Sequence, residues 1–333
     1  MTPATITSAV ELEPGRNPSP SELVGEELRV VEDRIMELLG SEEAILTRVG
    51  SALIGAGGKR IRPALALLVF RAAGGQDPAD TIDVGAAIEL IHSATLLHDD
   101  ILDSGTIRRG KPSPYAQFGL NPTLVGGDFL FAKAFSVAGR FDAKVVGWAA
   151  DACVQLCEGE MLQNRHRRNL EVGLEDYLTI ARYKTASLFR QASRIGAHFA
   201  GMTEADVDTL AKFGDEIGIG FQMVDDLLDV VGPESVIGKP VGSDLREGAP
   251  ALPTVLALAE LPQVASVFSS QNPSQKQVNE ALSALRHSGI LDRVRGMARE
   301  RIQSALDCLD TLPESTYRAA LEQVTLELLD RTS

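Results

Sequence analysis

The chain has 333 residues, 44% of them hydrophobic and only 5% aromatic, and it carries a formal net charge of −14. That acidity excludes a nucleic-acid surface, which needs a basic stripe. Three cysteines are too few for a disulfide framework and match no zinc spacing, so a reducing cytoplasm is the expected compartment.

The first stretch, MTPATITSAVELEPGRNPSP, is rich in Pro, Ser and Thr and reads as a disordered tail over residues 1–20. It lacks the basic start and apolar run of a signal peptide. Ser19, Pro20 and Glu22 then make a helix-start signal, with a capping hydroxyl, Pro in the first turn and Glu three residues after the Ser. This helix runs to about Gly40. A second begins at Ser41 with Glu42 and Glu43, and GAGGKR, residues 55–60, interrupts it. Periodicity resumes over 62–73, breaks at Gly74 and Gly75, and continues over 78–103.

Residues 104–122, with their Gly, Pro and basic side chains, read as a loop. Helical patterns follow at 124–139, 142–168, 174–200, 204–231, 250–260, 275–288 and 290–331, and period-2 alternation is nearly absent. The expected fold is therefore all-α, one single-domain bundle of about ten or more helices around a central cavity, with 78–103 and 204–231 at its centre. Glycines 214, 218 and 220 cost roughly 1 kcal/mol apiece against Ala, so they should mark close backbone packing or space for a ligand. Cys153 and Cys157, four apart on one helix, read as small core residues. No apolar run reaches the ~18 residues of a membrane span.

Two aspartate trios stand out: Asp99, Asp100 and Asp103 in HDDILD, and Asp225, Asp226 and Asp229 in VDDLLD. Each is embedded in an apolar, helix-like run. On a helix, residues four apart share one face, so Asp99 pairs with Asp103 and Asp225 with Asp229. Two such charges about 6 Å apart repel by on the order of 3 kcal/mol at an effective dielectric near 20. Carboxylates with no His or Cys ligand beside them suit hard cations, and Mg2+ binds through one or two carboxylates while leaving positions for phosphates. A single DDxxD in an acidic protein is equally well read as a solvated helix face. Here, however, His92, Thr95, Asp99 and Asp103 form one stripe, and Gly218, Gln222, Asp225 and Asp229 form another. Both read as cavity linings, with metal held between two facing helices.

The segments GGKRIRP, HDDILD with its trailing RRGKPS, GDFLFAKAF, GEMLQ, YKTASLF, GFQMVDDLLD and GKPVGSDLREG occur in this order. Over roughly residues 21–331 the chain thus resembles the trans-prenyl diphosphate synthases, of the isoprenoid synthase fold. These enzymes join isopentenyl diphosphate head-to-tail onto an allylic diphosphate. The resemblance implies a catalytic domain over 21–333, a homodimer, and Mg2+ as cofactor, with about three ions once substrate is bound.

The resemblance also assigns roles. Asp99, Asp103 and Asp225 would ligate the metal, and Asp100, Asp226 and Asp229 would act directly or through metal-bound water. Arg108, Lys184 and Lys239 would neutralise the allylic diphosphate, whose ionisation is the slow chemistry. Lys59, Arg62, His92 and Arg109 would bind isopentenyl diphosphate, with Gly57 and Gly58 permitting close backbone approach. Thr185 and Gln222 would line the reaction centre. His98 lies about 100° round the helix from Asp99 and reads as structural. Glu160 and Gln163 belong to the pattern without a settled role. The chain departs from the family where many members carry Lys and it has Ala249.

Short-chain members tend to place an aromatic residue four or five positions before the first aspartate. Here those positions are Thr95 and Ala94, so the resemblance implies a product longer than C15, of the quinone side-chain type, with a C20 geranylgeranyl product as the alternative. Phe131 and Phe135, one turn apart, are candidates for the tunnel floor or for plain core packing. Two other readings are a terpene cyclase, whose second metal motif mixes Asn, Ser or Thr with Glu, and a non-catalytic subunit of a two-chain synthase. The second DDxxD stands against the first reading, and the complete set of acidic and basic residues against the second.

Overall fold

The computed structural model describes residues 19–232 and 241–330. Residues 1–18 of the expected tail lie outside these, as does Lys239.

The helix-start signal forms as a reciprocal pair. The Glu22 backbone N–H donates to Ser19 Oγ at 3.3 Å and the Ser19 N–H donates to Glu22 Oε2 at 2.6 Å, opening α1 (Pro20–Leu23). Next come α2 (Gly25–Leu38), α3 (Ala44–Ile54), α4 (Ile61–Ala72) and α5 (Ala79–Leu102). The expected loop is more ordered than its composition implied. It holds a hairpin of β1 (Ile107–Arg108) and β2 (Lys111–Pro112), then α6 (Pro114–Phe118), which Ser113 caps. Helices α7 (Leu120–Ala138), α8 (Ala143–His166) and α9 (Leu174–Ala181) follow. A π turn, Arg182–Ala186, leads into α10 (Ser187–Phe199), and then comes α11 (Glu204–Val231).

The remainder departs from expectation in three places. Two short helices, α12 (Ser243–Glu247) and α14 (Pro262–Ser269), have too few turns to show periodicity. They flank α13 (Leu252–Ala257). After α15 (Gln275–His287), the single helix expected over 290–331 is divided into α16 (Ile290–Cys308), a 3-10 turn and α17 (Thr316–Asp330). Pro313 forces the break, because the residue before a proline is driven out of the helical region, and Leu312 is extended at φ −92° and ψ 143°.

α5 packs along α7, α10 lies against α11 and α4, and α11 lies against α16. Both α5 and α11 bury residues all round their circumference, as expected of central helices. The glycines of α11 serve close packing rather than ligand space. A Cβ on Gly214 would stand 2.4 Å from the Phe189 carbonyl oxygen, and one on Gly218 2.5 Å from Ala186 Cα. The expected cysteine packing is corrected. α8 buries Val145, Ala152, Leu156 and Gly159, so Cys153 is only partly covered and Cys157 faces outward, while Cys308 is buried. Among the described residues no helix is long and apolar enough to cross a membrane.

Candidate active site

Two cavities adjoin at the C-terminal end of α5. The first, about 320 Å3, is lined by Thr95 and Asp99 of α5, Lys184 and Thr185 of the π turn, and Gln222 and Asp226 of α11. The second, about 590 Å3, is lined by Gly57, Gly58, Lys59, Arg62, His92 and Arg109. Arg62, His92 and Phe221 belong to both and form the shared wall. Residues from both acidic segments therefore face one space.

Within the first trio the three carboxylates have separate surroundings. Burial pushes Asp99 up to about 6, with the nearby Lys184 ammonium opposing the shift. Asp100, 1% exposed, accepts a 2.7 Å hydrogen bond from Arg108 Nε at Oδ1, while its Oδ2 is buried with no partner. Asp103 is not on the helix as expected. It is the C-cap residue of α5 and accepts from Arg167 at 2.9 Å, a partner the sequence reading did not name.

The second trio divides differently. Asp226 accepts from Gln222 Nε2 at 2.7 Å and from the Leu252 N–H at 2.9 Å, and burial together with Asp244 pushes it up to about 7. Gln222 Oε1 in turn accepts from Thr185 Oγ1 at 2.6 Å. Asp229, expected on the cavity stripe, is 2% exposed and accepts from Ser243 Oγ at 2.8 Å and from the Asp244 N–H at 3.2 Å. Its carboxylate anchors the start of α12, where a negative charge suits the helix N-terminus. Asp225 alone of the three is only partly buried.

Lys184 is held by Glu160, and the approach that allows this needs Gly159, where a Cβ would meet Tyr183 Cβ at 2.8 Å and Lys184 Cγ at 2.9 Å. That assigns the first half of GEMLQ, and Gln163 lines the first cavity. The π turn places Lys184 and Thr185 side by side at the rim, since a single i→i+5 turn re-aims the residues it contains. Tyr177, 2% exposed, also lines this cavity, with its hydroxyl directed at the Asp226 carboxylate. Only its place on an otherwise apolar helix face could have marked it in the sequence.

Two loops reach the second cavity, each with a left-handed residue: Arg60 (φ 47°) just before α4 and Arg109 (φ 52°) in the β1–β2 turn. Arg60 pairs with the buried Glu89 at 3.0 Å, and both line the cavity together with Lys59, Arg62 and Arg109. A Cβ on Gly58 would lie 2.7 Å from Arg60 and 3.0 Å from Arg109, which explains the glycine. Arg62 stacks on the Phe189 ring with its guanidinium carbon 4.8 Å from the centroid. Burial, and then the surrounding arginines, hold His92 well below its ordinary value, so the imidazole is neutral.

The sequence model of the family described as polyprenyl synthetase matches residues 43–285. The chain belongs to the polyprenyl synthetase family. It is accordingly a prenyltransferase. It is 38% identical over 313 residues to a short chain isoprenyl diphosphate synthase of Methanothermobacter thermautotrophicus, covering 91% of this chain and 95% of that one. A decaprenyl diphosphate synthase from Rhodobacter capsulatus superposes with a TM-score of 0.88 at 33% identity, covering 94% of this chain and 98% of that one. A polyprenyl synthase from Caulobacter crescentus, crystallised with calcium and isoprenyl diphosphate, superposes with a TM-score of 0.89 at 33% identity, covering 96% and 100%.

Among the described residues of the synthase, no three His, Cys, Asp or Glu side chains converge as a ready metal cage. The donors nonetheless fit a hard divalent cation. They are all oxygens, one buried carboxylate oxygen of Asp100 has no partner, and such an ion completes its shell with phosphate and water.

The two candidate phenylalanines of α7 take different positions, Phe131 packing against the core. On α7 the inward positions are Leu130, Ala134 and Ala138, so Phe135 is 37% exposed and Phe131 packs on the His98 ring at 5.9 Å between centroids. His98 itself is structural, within 3.2 Å of the Leu124 carbonyl oxygen. Ala94 is fully buried on the same α5 stripe as Ile91 and Ala87, about 100° round the helix from Thr95, whose hydroxyl donates to the His92 carbonyl at 2.7 Å.

Proposed function

We propose that this synthase joins isopentenyl diphosphate head-to-tail onto an allylic diphosphate in a Mg2+-dependent reaction, releasing diphosphate and giving a trans-polyprenyl diphosphate longer than C15. The observation that carries this reading is the pair of adjoining cavities, one bringing Asp99 and Asp226 together beside Lys184, the other gathering Lys59, Arg60, Arg62 and Arg109, with Arg62, His92 and Phe221 as their shared wall.

Asp99, Asp103 and Asp225 would hold the Mg2+ ions, which would supply positive charge to the departing diphosphate as the allylic C–O bond breaks. Asp103 must exchange Arg167 for metal, and Lys184 and Arg108 stand ready to take phosphate oxygens. The family resemblance assigns Lys239 to the same diphosphate. Below them, the oxygen and amide dipoles of Thr185 and Gln222 lie against the forming carbocation. Lys59, Arg62 and Arg109 would grip isopentenyl diphosphate, with neutral His92 donating one hydrogen bond. The new C–C bond forms across the shared wall, and the proton lost from the condensed carbon leaves to the released diphosphate. No covalent nucleophile is needed.

The calcium and isoprenyl diphosphate in the Caulobacter crescentus relative support the metal and substrate class. The decaprenyl relative, and the small Ala94 and Thr95 below the metals, support a long product, and C20 is the alternative. We also place this enzyme in the cytoplasm as a homodimer formed by the outer faces of α7 and α8, where Leu124, Val125, Phe135, Val154 and Met161 are exposed.

The test is incubation of the purified chain with labelled isopentenyl diphosphate and C10, C15 or C20 allylic primers, with Mg2+ or with EDTA. Butanol-extractable label that requires both primer and Mg2+ is expected. No incorporation with any primer would overturn the reading.

A further inference from the structure

Beneath the diphosphate cavity, α5, α7, α8 and α10 meet along a narrow crevice. Its walls include Ala87 and Ile91 of α5, Ala134 of α7, Ala152 of α8, and Leu188 and Ile195 of α10. All the lining is apolar except Gln191 of α10, which is 3% exposed and whose Oε1 has no hydrogen-bond partner. The free volume is about 10 Å3, and a water held there would need two or more polar partners, whereas the crevice offers one amide. A buried amide left unpaired weakens the fold, so stability does not account for this residue.

Its depth does suggest a use. Gln191 lies in the second turn of α10, beyond the π turn that carries Thr185, and Ala87 across the crevice lies twelve residues before Asp99, about 18 Å along α5. One isoprene unit is about as long as one helical turn. A chain anchored at Asp99 therefore reaches this level between its third and fourth unit, at the step from C15 to C20.

We propose that Gln191 is a specificity-determining residue for product length. This rests on the prenyl-elongation reading above. When the crevice opens for a growing chain, the amide is the group there that binds water. Hydrocarbon advancing past it has to strip that water and leave the amide unpaired. Growth slows at this point, and the product ladder of the synthase carries a step there.

The experiment compares the product ladders of wild type, Gln191→Leu and Gln191→Ala at equal turnover, with melting temperatures of all three. Gln191→Leu keeps the side chain's bulk and removes the amide. Its ratio of products beyond C20 to those at or below C20 should rise about tenfold, equivalent to ~1.4 kcal/mol, with a melting temperature at or above wild type. An unchanged ladder in both variants overturns the proposal. So does lengthening in Gln191→Ala but not in Gln191→Leu, since that assigns the effect to volume alone. A wild-type chain that elongates no primer overturns the elongation reading itself, which separates the two failures.

Discussion

Thr185 Oγ1 donates a 2.6 Å hydrogen bond to Gln222 Oε1, tying the π turn to the middle of α11. Gln222 Nε2 extends the chain to Asp226 at 2.7 Å, so one amide orients both the hydroxyl that faces the reaction centre and a buried carboxylate. Gln222→Leu removes both bonds while keeping the volume. The expected result is a fall in kcat on the order of 10- to 100-fold, an unchanged KM for isopentenyl diphosphate, and a loss of about 1–3 kcal/mol of stability from the stranded Asp226. A variant with wild-type kcat would remove the pair from the mechanism.

Asp99 should make the metal-free enzyme pH-sensitive. Its carboxyl is pushed up to about 6 from 3.8, so the folded state keeps the proton after the unfolded chain has released it. The penalty is therefore absent well below pH 4 and accumulates as the pH rises to about 6. In EDTA, Asp99→Asn should match wild type at low pH and exceed it above pH 6 by on the order of 1–3 kcal/mol. Thermal melts across that range are the measurement, and a constant offset at every pH would count against this account.

Arg109 lines the basic cavity alone, whereas Arg62 lines both. Replacing it by Gln should raise the KM for isopentenyl diphosphate by about 10- to 100-fold, the loss of one charge-assisted hydrogen bond, and leave the KM of the allylic primer unchanged. Initial-rate measurements with each substrate varied in turn decide it, and equal effects on both would merge the two sites.

Ala94 is buried on the crevice stripe, one turn beyond Ile91 toward the aspartates. Ala94→Phe should fill that position and shift the product ladder to shorter chains without abolishing the first condensation. Chromatography of the dephosphorylated products reads this directly.

The proposed pairing through the exposed apolar face of α7 and α8 predicts that charge placed there keeps two copies apart. Phe135→Asp with Val154→Asp should raise the dissociation constant of the proposed dimer at least 100-fold by analytical ultracentrifugation, since like charges with no partner are costly to bury. A variant pair that remains fully dimeric would put the interface elsewhere.

The order of the motifs, the helical class and the limits of the two central helices were legible in the sequence, because they depend on local periodicity. α5 and α11 end within one or two residues of the pattern over 78–103 and 204–231. The residue types of both anion sites were legible too, since carboxylates and guanidinium groups at fixed spacing carry their chemistry with them. Side-chain direction was not. Asp103 left the helix for Arg167, Asp229 turned to cap α12, and Phe135 faced outward, each decided by a neighbour distant in the chain. Short helices at 243–247 and 262–269 form only against the rest of the fold, because so few turns cannot pay their own nucleation cost in isolation. The lone amide of Gln191 in an apolar crevice is likewise a property of four packed helices, and α10 by itself does not show which of its polar residues will be enclosed.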